Sequence, residues 1–300
     1  MNFSEFETKL KDTLQEMVGS EVSVQPTTQI KNNNTVYHSL IFMNQHDTLS
    51  PVIHLNNCYQ DLQDGKSFNQ IATDIYSLYQ KVKNVPPLNV DVLFSLEQIK
   101  DKIVYRLVNY KRNETQLKSV PHILFVDLSI VFYIQLETDA HTSASLQITN
   151  KHLDLWKKTT EDIYAYAKEN TCRIFPASME SILSAMKKLN PDEECWESVD
   201  EESFHDSGFQ VLTNTKQHYG ASCILYDHML EAIGQKLQDN YYIIPSSTHE
   251  VLILSESIAN NCDSLSEIIQ NVNRTKVENE EILADHPYYY DRQTMLLRTA

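Results

Sequence analysis

Glycine is scarce in this chain, and its scarcity restricts the kinds of ligand site that the backbone can form. Five glycines occur among 300 residues, at Gly19, Gly65, Gly208, Gly220 and Gly234, whereas average usage is about 7%. Loops that bind phosphate bring backbone amides close to the ligand, and glycine permits that approach. No two of the five have the spacing of a dinucleotide fingerprint, a Walker loop or a nucleophile elbow. We therefore expect neither a nucleotide cofactor nor a familiar acyl-transfer centre.

The chain is acidic, and its charge is unevenly distributed. The formal net charge is −16, and the segment from Asp192 to Asp206 contains eight carboxylates and no lysine or arginine. An acidic balance of this size repels nucleic-acid phosphates and anionic membrane surfaces. We expect no membrane attachment and no direct binding of nucleic acid. The acidic segment 191–207 is interpreted as a solvated loop, with imitation of nucleic acid as an alternative role.

Several features predict a cytoplasmic protein without a bound metal. No run approaches the ~18 apolar residues of a membrane span, and the charged, amphipathic start is not typical of a signal peptide. The five cysteines are widely spaced and include no CxxC pair, which argues against a structural zinc site or a disulfide scaffold. His218, His228 and Asp227 lack the spacing of helical metal ligands. We expect reduced thiols and no metal.

Periodicity and capping residues predict alternating helices and strands in the first part of the chain. Apolar side chains spaced by three or four residues indicate a helix from Phe3 to Met17, which Gly19 ends. Two β-rich runs on either side of residues 31–34 indicate a hairpin with an asparagine-rich turn. Ser67 has the position of an N-cap for a further amphipathic helix.

The most apolar stretch lies near the middle of the chain and predicts paired strands. It reads PHILFVDLSIVFYIQL from Pro121 to Leu136, and the run ASLQIT from Ala144 onwards is expected to pair with it. Together the patterns predict an α+β fold with mixed or antiparallel sheets and flanking helices. The chain is expected to form two such halves, residues 1–141 and 142–300, or one continuous domain.

Two segments of the second half follow the same order of residues. In each segment a strand ends in Thr-Asn, a helical stretch follows, and an apolar run leads to Pro-x-Ser. The corresponding residues are Thr149, Asn150, Pro176 and Ser178 in one segment and Thr213, Asn214, Pro245 and Ser247 in the other. The pattern predicts either a repeated strand–helix–strand unit or two uses of the same helix-capping residues.

The densest group of potentially reactive side chains is Ser246, Ser247, His249 and Glu250. A serine and a histidine can act as a nucleophile and its base, so Ser247 and His249 are candidate catalytic residues. Ile253 stands where a zincin helix would need its second histidine, which excludes that metalloprotease motif. On a strand, His249 and Glu250 would point to opposite faces. The simpler interpretation is that these four residues form a tight turn and the start of the strand that follows it.

Asp127 is a further candidate catalytic residue, because it lies within the most apolar stretch, where a carboxylate is costly to bury. It is interpreted as a perturbed general acid or base, as the partner of a cation such as Arg106, or as a residue on the exposed face of its strand. Arg106 itself belongs to a weakly basic segment, residues 81–112. We interpret that segment as a solvated face.

Three function classes are compatible with the sequence. An acidic, glycine-poor chain with 16 tyrosines favours a non-enzymatic module that binds another protein, since tyrosine is frequent in recognition surfaces. The alternative is an enzyme with an unfamiliar site, in which Thr213, Asn214 and Tyr219 line a cleft together with Ser247 and His249. Imitation of nucleic acid by the acidic segment is the third class. The sequence leaves the oligomeric state open.

Several segments, taken together, are similar to a family of bacterial proteins. They include VPHILFVDLSIVFYIQL, ITNKHLDLW, AKENTCRIFPAS, VLTNTKQHYGA and YIIPSSTHEVLIL. The resemblance extends over nearly the whole chain, most clearly from Glu97, to a domain of unknown function found largely in anaerobic Gram-positive bacteria. The chain differs from the family's pattern at Cys172, Arg173 and residues 216–219. The resemblance implies one full-length cytoplasmic domain of bacterial origin and brings no assigned activity.

Overall fold

The described part of the chain forms two compact units, Met1–Leu93 and Phe94–Ala300. The computed structural model describes residues 1–44, 51–83, 93, 95–139, 142–189, 209–259 and 262–300. The acidic segment 191–207 lies outside these residues. The division between residues 141 and 142 that the sequence suggested falls within the second unit, between two strands that pair with each other.

The first unit combines a three-stranded antiparallel sheet with three helices. Its elements are α1 (Phe3–Val18), β1 (Val22–Ile30), β2 (Val36–Asn44), β3 (Val52–His54), α2 (Asn56–Gln63) and α3 (Phe68–Val82). The side chain of Asn2 accepts a hydrogen bond from the N–H of Glu5 at the start of α1, and Gly19, at φ +80°, ends the helix. Ser67 caps α3 as predicted. The predicted hairpin is also confirmed, with a turn at Asn32–Asn34.

The core of the first unit follows from the apolar faces of these elements. Phe6, Leu10 and Leu14 of α1 are completely buried, and they pack in one cluster with Leu40 and Phe42 of β2. Complete burial of a large apolar side chain is worth about 2 kcal/mol. The three-to-four-residue periodicity of α1 therefore corresponds to the face that this unit buries.

The second unit contains a four-stranded antiparallel sheet. Its strands are β4 (Ile103–Asn109), β5 (His122–Phe125), β6 (Leu128–Asp139) and β7 (Thr142–Gln147). The long strand β6 pairs with β4 along one edge, and with β5 and then β7 along the other. This arrangement confirms the paired strands that the apolar stretch predicted.

The second unit also contains a six-stranded sheet. Its strands are β8 (Ala177–Ser181), β9 (Phe209–Asn214), β10 (Tyr241–Pro245), β11 (Val251–Ser255), β12 (Tyr288–Asp291) and β13 (Leu296–Thr299), in the order β13-β12-β10-β11-β9-β8. Every pairing between described strands is antiparallel. The predicted α+β class is confirmed, with antiparallel rather than mixed sheets.

Seven α-helices of the second unit lie in the described residues. They are α4 (Leu96–Ile99), α5 (Tyr110–Leu117), α6 (Asn150–Trp156), α7 (Thr160–Ile174), α8 (Ile182–Leu189), α9 (Met229–Leu237) and α10 (Cys262–Thr275). Short 3-10 turns occur at Lys100–Lys102, Gly220–Leu225 and Asn279–Glu281. Across both units, no helix in the described ranges has the length and apolar character that a bilayer crossing requires.

The two similar segments of the second unit differ in topology. After Thr149 the chain forms α6 and α7 between strands of two different sheets, whereas after Asn214 it forms a loop, a 3-10 turn and α9 between two strands of the same sheet. Thr149 begins α6, with its N–H and its hydroxyl each 2.9 Å from Nδ1 of His152. The hydroxyl of Thr213 donates instead to the carbonyl oxygen of His249 (2.8 Å). Helix capping therefore accounts for the first Thr-Asn step and not for the second.

The free edge of β4 is closed by side chains from two helical segments. The N–H of Tyr105 donates to Oγ1 of Thr171 in α7 (3.0 Å), and the N–H of Leu107 donates to Oγ of Ser222 in a 3-10 turn (3.0 Å). These groups are buried, where an unpaired amide would cost about 1–3 kcal/mol. The second contact brings the loop before that 3-10 turn beside Arg106, which lies between the two bonded residues of β4.

Candidate ligand-binding site

Two loops of the six-stranded sheet meet beside β4. One follows Thr213 and Asn214, the last two residues of β9, and contains Tyr219; the other joins β10 to β11 and contains Ser247 and His249. A hydrogen bond from Oγ1 of Thr213 to the carbonyl oxygen of His249 (2.8 Å) links them, and a second runs from the N–H of Tyr219 to Nδ1 of His249 (3.1 Å). The structure thus brings together five residues that the sequence analysis singled out.

Gly220 allows these two loops to approach each other. A methyl group at this position would lie 2.6 Å from the carbonyl oxygen of His249 and 2.8 Å from the nitrogen of Asn214, and it would overlap Oγ1 of Thr213. Such separations are too short for atoms that are not bonded, so the position requires a residue without a side chain. One of the chain's five glycines therefore lies at the centre of this site, although it belongs to no glycine-rich motif.

Asn214 shapes the loop that presents Tyr219. Its Nδ2 donates to the carbonyl oxygen of His218 (2.8 Å), and its Oδ1 accepts from the N–H of Lys216 (3.0 Å). Asn214 is 2% exposed, so water does not compete for these bonds. Tyr219 has φ +55°, a left-handed conformation that costs a residue other than glycine about 1–2 kcal/mol. The bonds made by Asn214 help to hold the loop in this conformation.

His249 is held by contacts at both of its ring nitrogens. Because Nδ1 accepts a hydrogen bond from the N–H of Tyr219, the ring proton lies on Nε2, which is 3.3 Å from Oε1 of Glu281. Oγ of Ser247 accepts from the backbone N–H of His249 (3.0 Å). A nucleophilic serine needs its hydroxyl on the histidine ring. In this arrangement Ser247 and His249 do not form a nucleophile–base pair.

Arg106 is a buried cation with no acidic partner among the described residues. It is 5% exposed, and its guanidinium carbon lies 3.9 Å from the ring centre of Tyr133 and 3.6 Å from that of Tyr219. Nη2 donates to Oγ of Ser145 (2.8 Å). Tyr133 also makes a side-chain hydrogen bond to the guanidinium, and no carboxylate accepts from it within the described ranges. Removal from water lowers the pKa of Arg106, because burial disfavours the charged form.

His218 packs beside Tyr219 and His249 and is uncharged at neutral pH. Its ring centre is 4.2 Å from that of Tyr219 and 5.2 Å from that of His249. Burial, followed by the charge of Arg106, lowers the pKa of His218 to about 4. We refer to six residues as the arginine cluster: Arg106, Tyr133, Ser145, His218, Tyr219 and His249.

One protein family matches the chain over residues 3–292. The chain belongs to this family, DUF5688. It is described as a family of unknown function, so membership assigns no activity to the arginine cluster. No curated protein and no solved structure matches the chain. The resemblance seen in the sequence is confirmed at the level of the family, and the chemistry of the cluster has to indicate its role.

Asp127 of this DUF5688 chain has a different place and a different partner from those expected. It lies in the turn between β5 and β6, because Val126, at φ +57°, reverses the chain immediately before it. The expected pairing with Arg106 is wrong: the carboxylate accepts hydrogen bonds from Nε2 of His286 (2.9 Å) and from the hydroxyl of Tyr288 (2.7 Å). Burial alone would raise the pKa of Asp127, but these hydrogen bonds outweigh it and lower the pKa.

Two acceptors face the ring of His286 and favour its imidazolium form. Nε2 faces the carboxylate of Asp127 (2.9 Å), and Nδ1 faces the carbonyl oxygen of Pro287 (3.1 Å). Both partners are acceptors, and a neutral ring could donate to only one of them. The hydrogen bond to Asp127 raises the pKa of His286, although burial opposes the shift. The side chains of His286 and Asp127 are 30% and 42% exposed, so water screens the pair.

We expect the contact between His286 and Asp127 to make stability depend on pH. The pKa of His286 is raised in the folded protein. The stabilisation that this histidine contributes is therefore complete below its unfolded pKa of ~6.5, and it is lost as the pH rises through the folded pKa. The pKa of Asp127 is lowered in the folded protein. The stabilisation that this carboxylate contributes is therefore present above its unfolded pKa of ~3.9, and it is lost as the pH falls through the folded pKa. Asp127→Asn should therefore cost up to about 1 kcal/mol near pH ~5.5 and less near pH ~8.5.

Urea denaturation at the two pH values measures this difference. Trp156 of α6 is buried in the second unit, so its fluorescence follows unfolding of that unit. The matched control is Glu231→Gln, which removes the partner of His228, a side chain that is 85% exposed. This control should have a small effect at both pH values, because water screens so exposed a pair. The prediction would be contradicted if Asp127→Asn lowered the free energy of unfolding equally at the two pH values, or more at the higher pH.

The three residues considered as metal ligands have separate partners in this DUF5688 structure. His218 belongs to the arginine cluster, and Asp227 pairs with Lys168 (2.6 Å). His228, immediately before α9, lies 3.1 Å from a carboxylate oxygen of Glu231 in that helix. Within the parts of the chain that the structure describes, no group of three or more His, Cys, Asp or Glu side chains could hold a metal ion.

Three members of the arginine cluster, Arg106, Tyr133 and Ser145, are not candidate site residues in the sequence. A signal for Arg106 is present, since it is the single charged residue of the strand IVYRLVN, and the cost of burying a charge applies to it as it does to Asp127. Tyr133 and Ser145 carry no comparable signal. They lie on β6 and β7, and the register that brings them to Arg106 is not visible in the sequence.

Proposed function

We propose that this protein is a non-enzymatic binding module that recognises an anionic group through Arg106. The observation that carries the proposal is the guanidinium itself, which is 5% exposed and has no described carboxylate as its partner. Removing a cation from water costs several kcal/mol. The rings of Tyr133 and Tyr219, at 3.9 and 3.6 Å from the guanidinium carbon, each offset about 2 kcal/mol of this desolvation cost. An anion on the remaining N–H donors would supply the rest.

The position of Arg106 suits this role. Its planar guanidinium presents several donors in a fixed geometry that matches a two-oxygen anion. Ser145, to which Nη2 donates, is exposed, so this end of the guanidinium lies next to solvent. His218 and Tyr219 are partly exposed and can contact the remainder of a ligand. A small group can therefore reach a donor set that is otherwise shielded from water.

The chemistry of the arginine cluster favours binding over catalysis. Oγ of Ser247 and Nδ1 of His249 both accept hydrogen bonds from backbone N–H groups, so these two side chains do not form a nucleophile–base pair. The pKa of His218 is lowered to about 4, so the ring is neutral at neutral pH and is a weak general base. These features support a site that positions a ligand, in agreement with the binding module that the composition favours.

Substitution of Arg106 by methionine tests this function. The 300-residue protein is titrated with acetate and with inorganic phosphate while the backbone amide NMR signals of Tyr219 and Gly220 are followed. We expect at least one of these anions to give a saturable shift with the wild type. The Arg106→Met variant should bind that anion at least about tenfold more weakly, since methionine can occupy the space between the tyrosines but donates no hydrogen bond.

Arg298→Met is the matched control. Arg298 also lies over a tyrosine, Tyr289, at 4.7 Å, but it is exposed on the outermost strand of its sheet. This variant should bind the anion as tightly as the wild type. The proposal fails if neither anion gives a saturable response, or if Arg106→Met binds as the wild type does.

A further inference from the structure

Resting on the proposed function, we infer that the anionic group bound at Arg106 is a carboxylate rather than a phosphate. Two properties of the arginine cluster support this assignment. Its formal charge matches a ligand with one negative charge, and the tyrosine rings beside the guanidinium favour a planar group.

The arginine cluster carries one positive charge. Arg106 supplies it, while His218 is uncharged at neutral pH because its pKa is lowered to about 4. Nδ1 of His249 accepts a hydrogen bond from a backbone N–H, so that ring is neutral as well. Lys216, of the same loop as His218, places its ammonium over the ring of Phe175 (5.0 Å). A carboxylate would therefore be neutralised by Arg106 alone.

A phosphate would bring more negative charge than the cluster can neutralise. A phosphate monoester carries about 1.5 to 2 negative charges near neutral pH. The excess charge of the ligand would be left without a partner next to a buried group, where it is costly.

The two tyrosine rings also favour a planar ligand. With their centres 3.6 and 3.9 Å from the guanidinium carbon of Arg106, Tyr219 and Tyr133 leave the N–H groups in the guanidinium plane as the donors for a ligand. A carboxylate is planar and can accept two hydrogen bonds in that plane. A phosphate is tetrahedral, so some of its oxygens would face the ring surfaces, which are partially negative.

The surroundings indicate what the carboxylate is attached to. His218 and Tyr219 are partly exposed rings whose centres lie 4.2 Å apart. An aromatic group next to the carboxylate would pack on these rings. Benzoate, in which ring and carboxylate share one plane, is therefore the simplest probe.

Three ligands that share a phenyl ring test the inference. Benzoate, phenyl phosphate and benzamide are titrated against the 300-residue protein, as the wild type and as Arg106→Met, with the amide signals of Tyr219 and Gly220 as the readout. We expect benzoate to bind at least about tenfold more tightly than phenyl phosphate and benzamide to give no saturable response. The Arg106→Met variant should lose the benzoate response.

The outcomes separate this inference from the proposed function. If phenyl phosphate binds as tightly as benzoate or more tightly, and Arg106→Met loses that binding, the proposed function stands and the carboxylate inference is overturned. Benzamide binding equal to benzoate binding would overturn it as well, because the phenyl ring would then be the recognised group. If no anion gives a response that depends on Arg106, both the proposed function and the inference fail.

A peptide comparison identifies the source of the carboxylate. A short peptide that ends in phenylalanine is titrated with a free and with an amidated C-terminus. If the free peptide binds more tightly than benzoate and amidation removes the binding, the site recognises a protein C-terminus, and the inference is supported. If benzoate binds more tightly than the free peptide, the ligand is a small carboxylate, and the inference is supported in that form.

Discussion

Replacing Gly220 by alanine is expected to destabilise the second unit by about 3 kcal/mol. The added methyl group would lie 2.6 Å from the carbonyl oxygen of His249 and 2.8 Å from the nitrogen of Asn214, and it would overlap Oγ1 of Thr213. Thr213 cannot rotate away without losing its hydrogen bond to His249, and the other two atoms belong to the backbone. The two loops would therefore have to separate, which would also displace Tyr219.

Gly234→Ala is the matched control for this variant. Gly234 lies inside α9, where the nearest neighbour of the new methyl group would be Cγ of the Arg292 side chain, at 3.4 Å. Alanine stabilises a helix by about 0.5–1 kcal/mol relative to glycine, so this variant should be as stable as the wild type or slightly more stable. Urea denaturation followed by tryptophan fluorescence compares the two. A Gly220→Ala cost no larger than that of Gly234→Ala would show that the loops do not need this glycine.

Elements that depend on neighbouring residues could be predicted from the sequence. The turn at Asn32–Asn34, the end of α1 at Gly19 and the start of α3 at Ser67 each follow from the capping or turn preferences of a few adjacent side chains. The order of the six-stranded sheet could not be predicted. Strand β12 pairs with β10 although β11 and α10 intervene in the sequence, and such pairing depends on burial that a single sequence does not specify.

The two charged residues of the apolar strands show where the sequence misleads. Asp127 looks like a strand residue because its two-residue turn, Val126–Asp127, contains no glycine, proline or asparagine and lies within an apolar run. Val126 makes the turn at φ +57°, a conformation that β-branched residues seldom adopt, and the partner of Asp127, His286, is 159 residues away. Arg106 looks solvated because other basic residues surround it in the sequence, whereas in the fold Tyr133 and Tyr219 cover it.

Without a ligand, Arg106→Met is expected to raise the free energy of unfolding of the second unit by about 2 kcal/mol. The wild type holds a charged group at 5% exposure, and the rings of Tyr133 and Tyr219 offset only part of the several kcal/mol that desolvation costs. Methionine removes the charge and keeps contact with the rings through its sulfur, which is worth about 1 kcal/mol. Ser145 is exposed and can bond to water instead.

Urea denaturation with and without benzoate decides whether Arg106 serves folding or binding. Benzoate should stabilise the wild type and leave Arg106→Met unchanged, since a ligand stabilises only the protein that binds it. Arg112→Met is the control, because Arg112 pairs with Asp285 (2.8 Å) and its loss should lower stability. If Arg106→Met lowers stability by more than about 1 kcal/mol, the guanidinium between the tyrosines is a structural element. A more stable variant that no longer binds would show that the wild type keeps a destabilising charge that a bound anion neutralises.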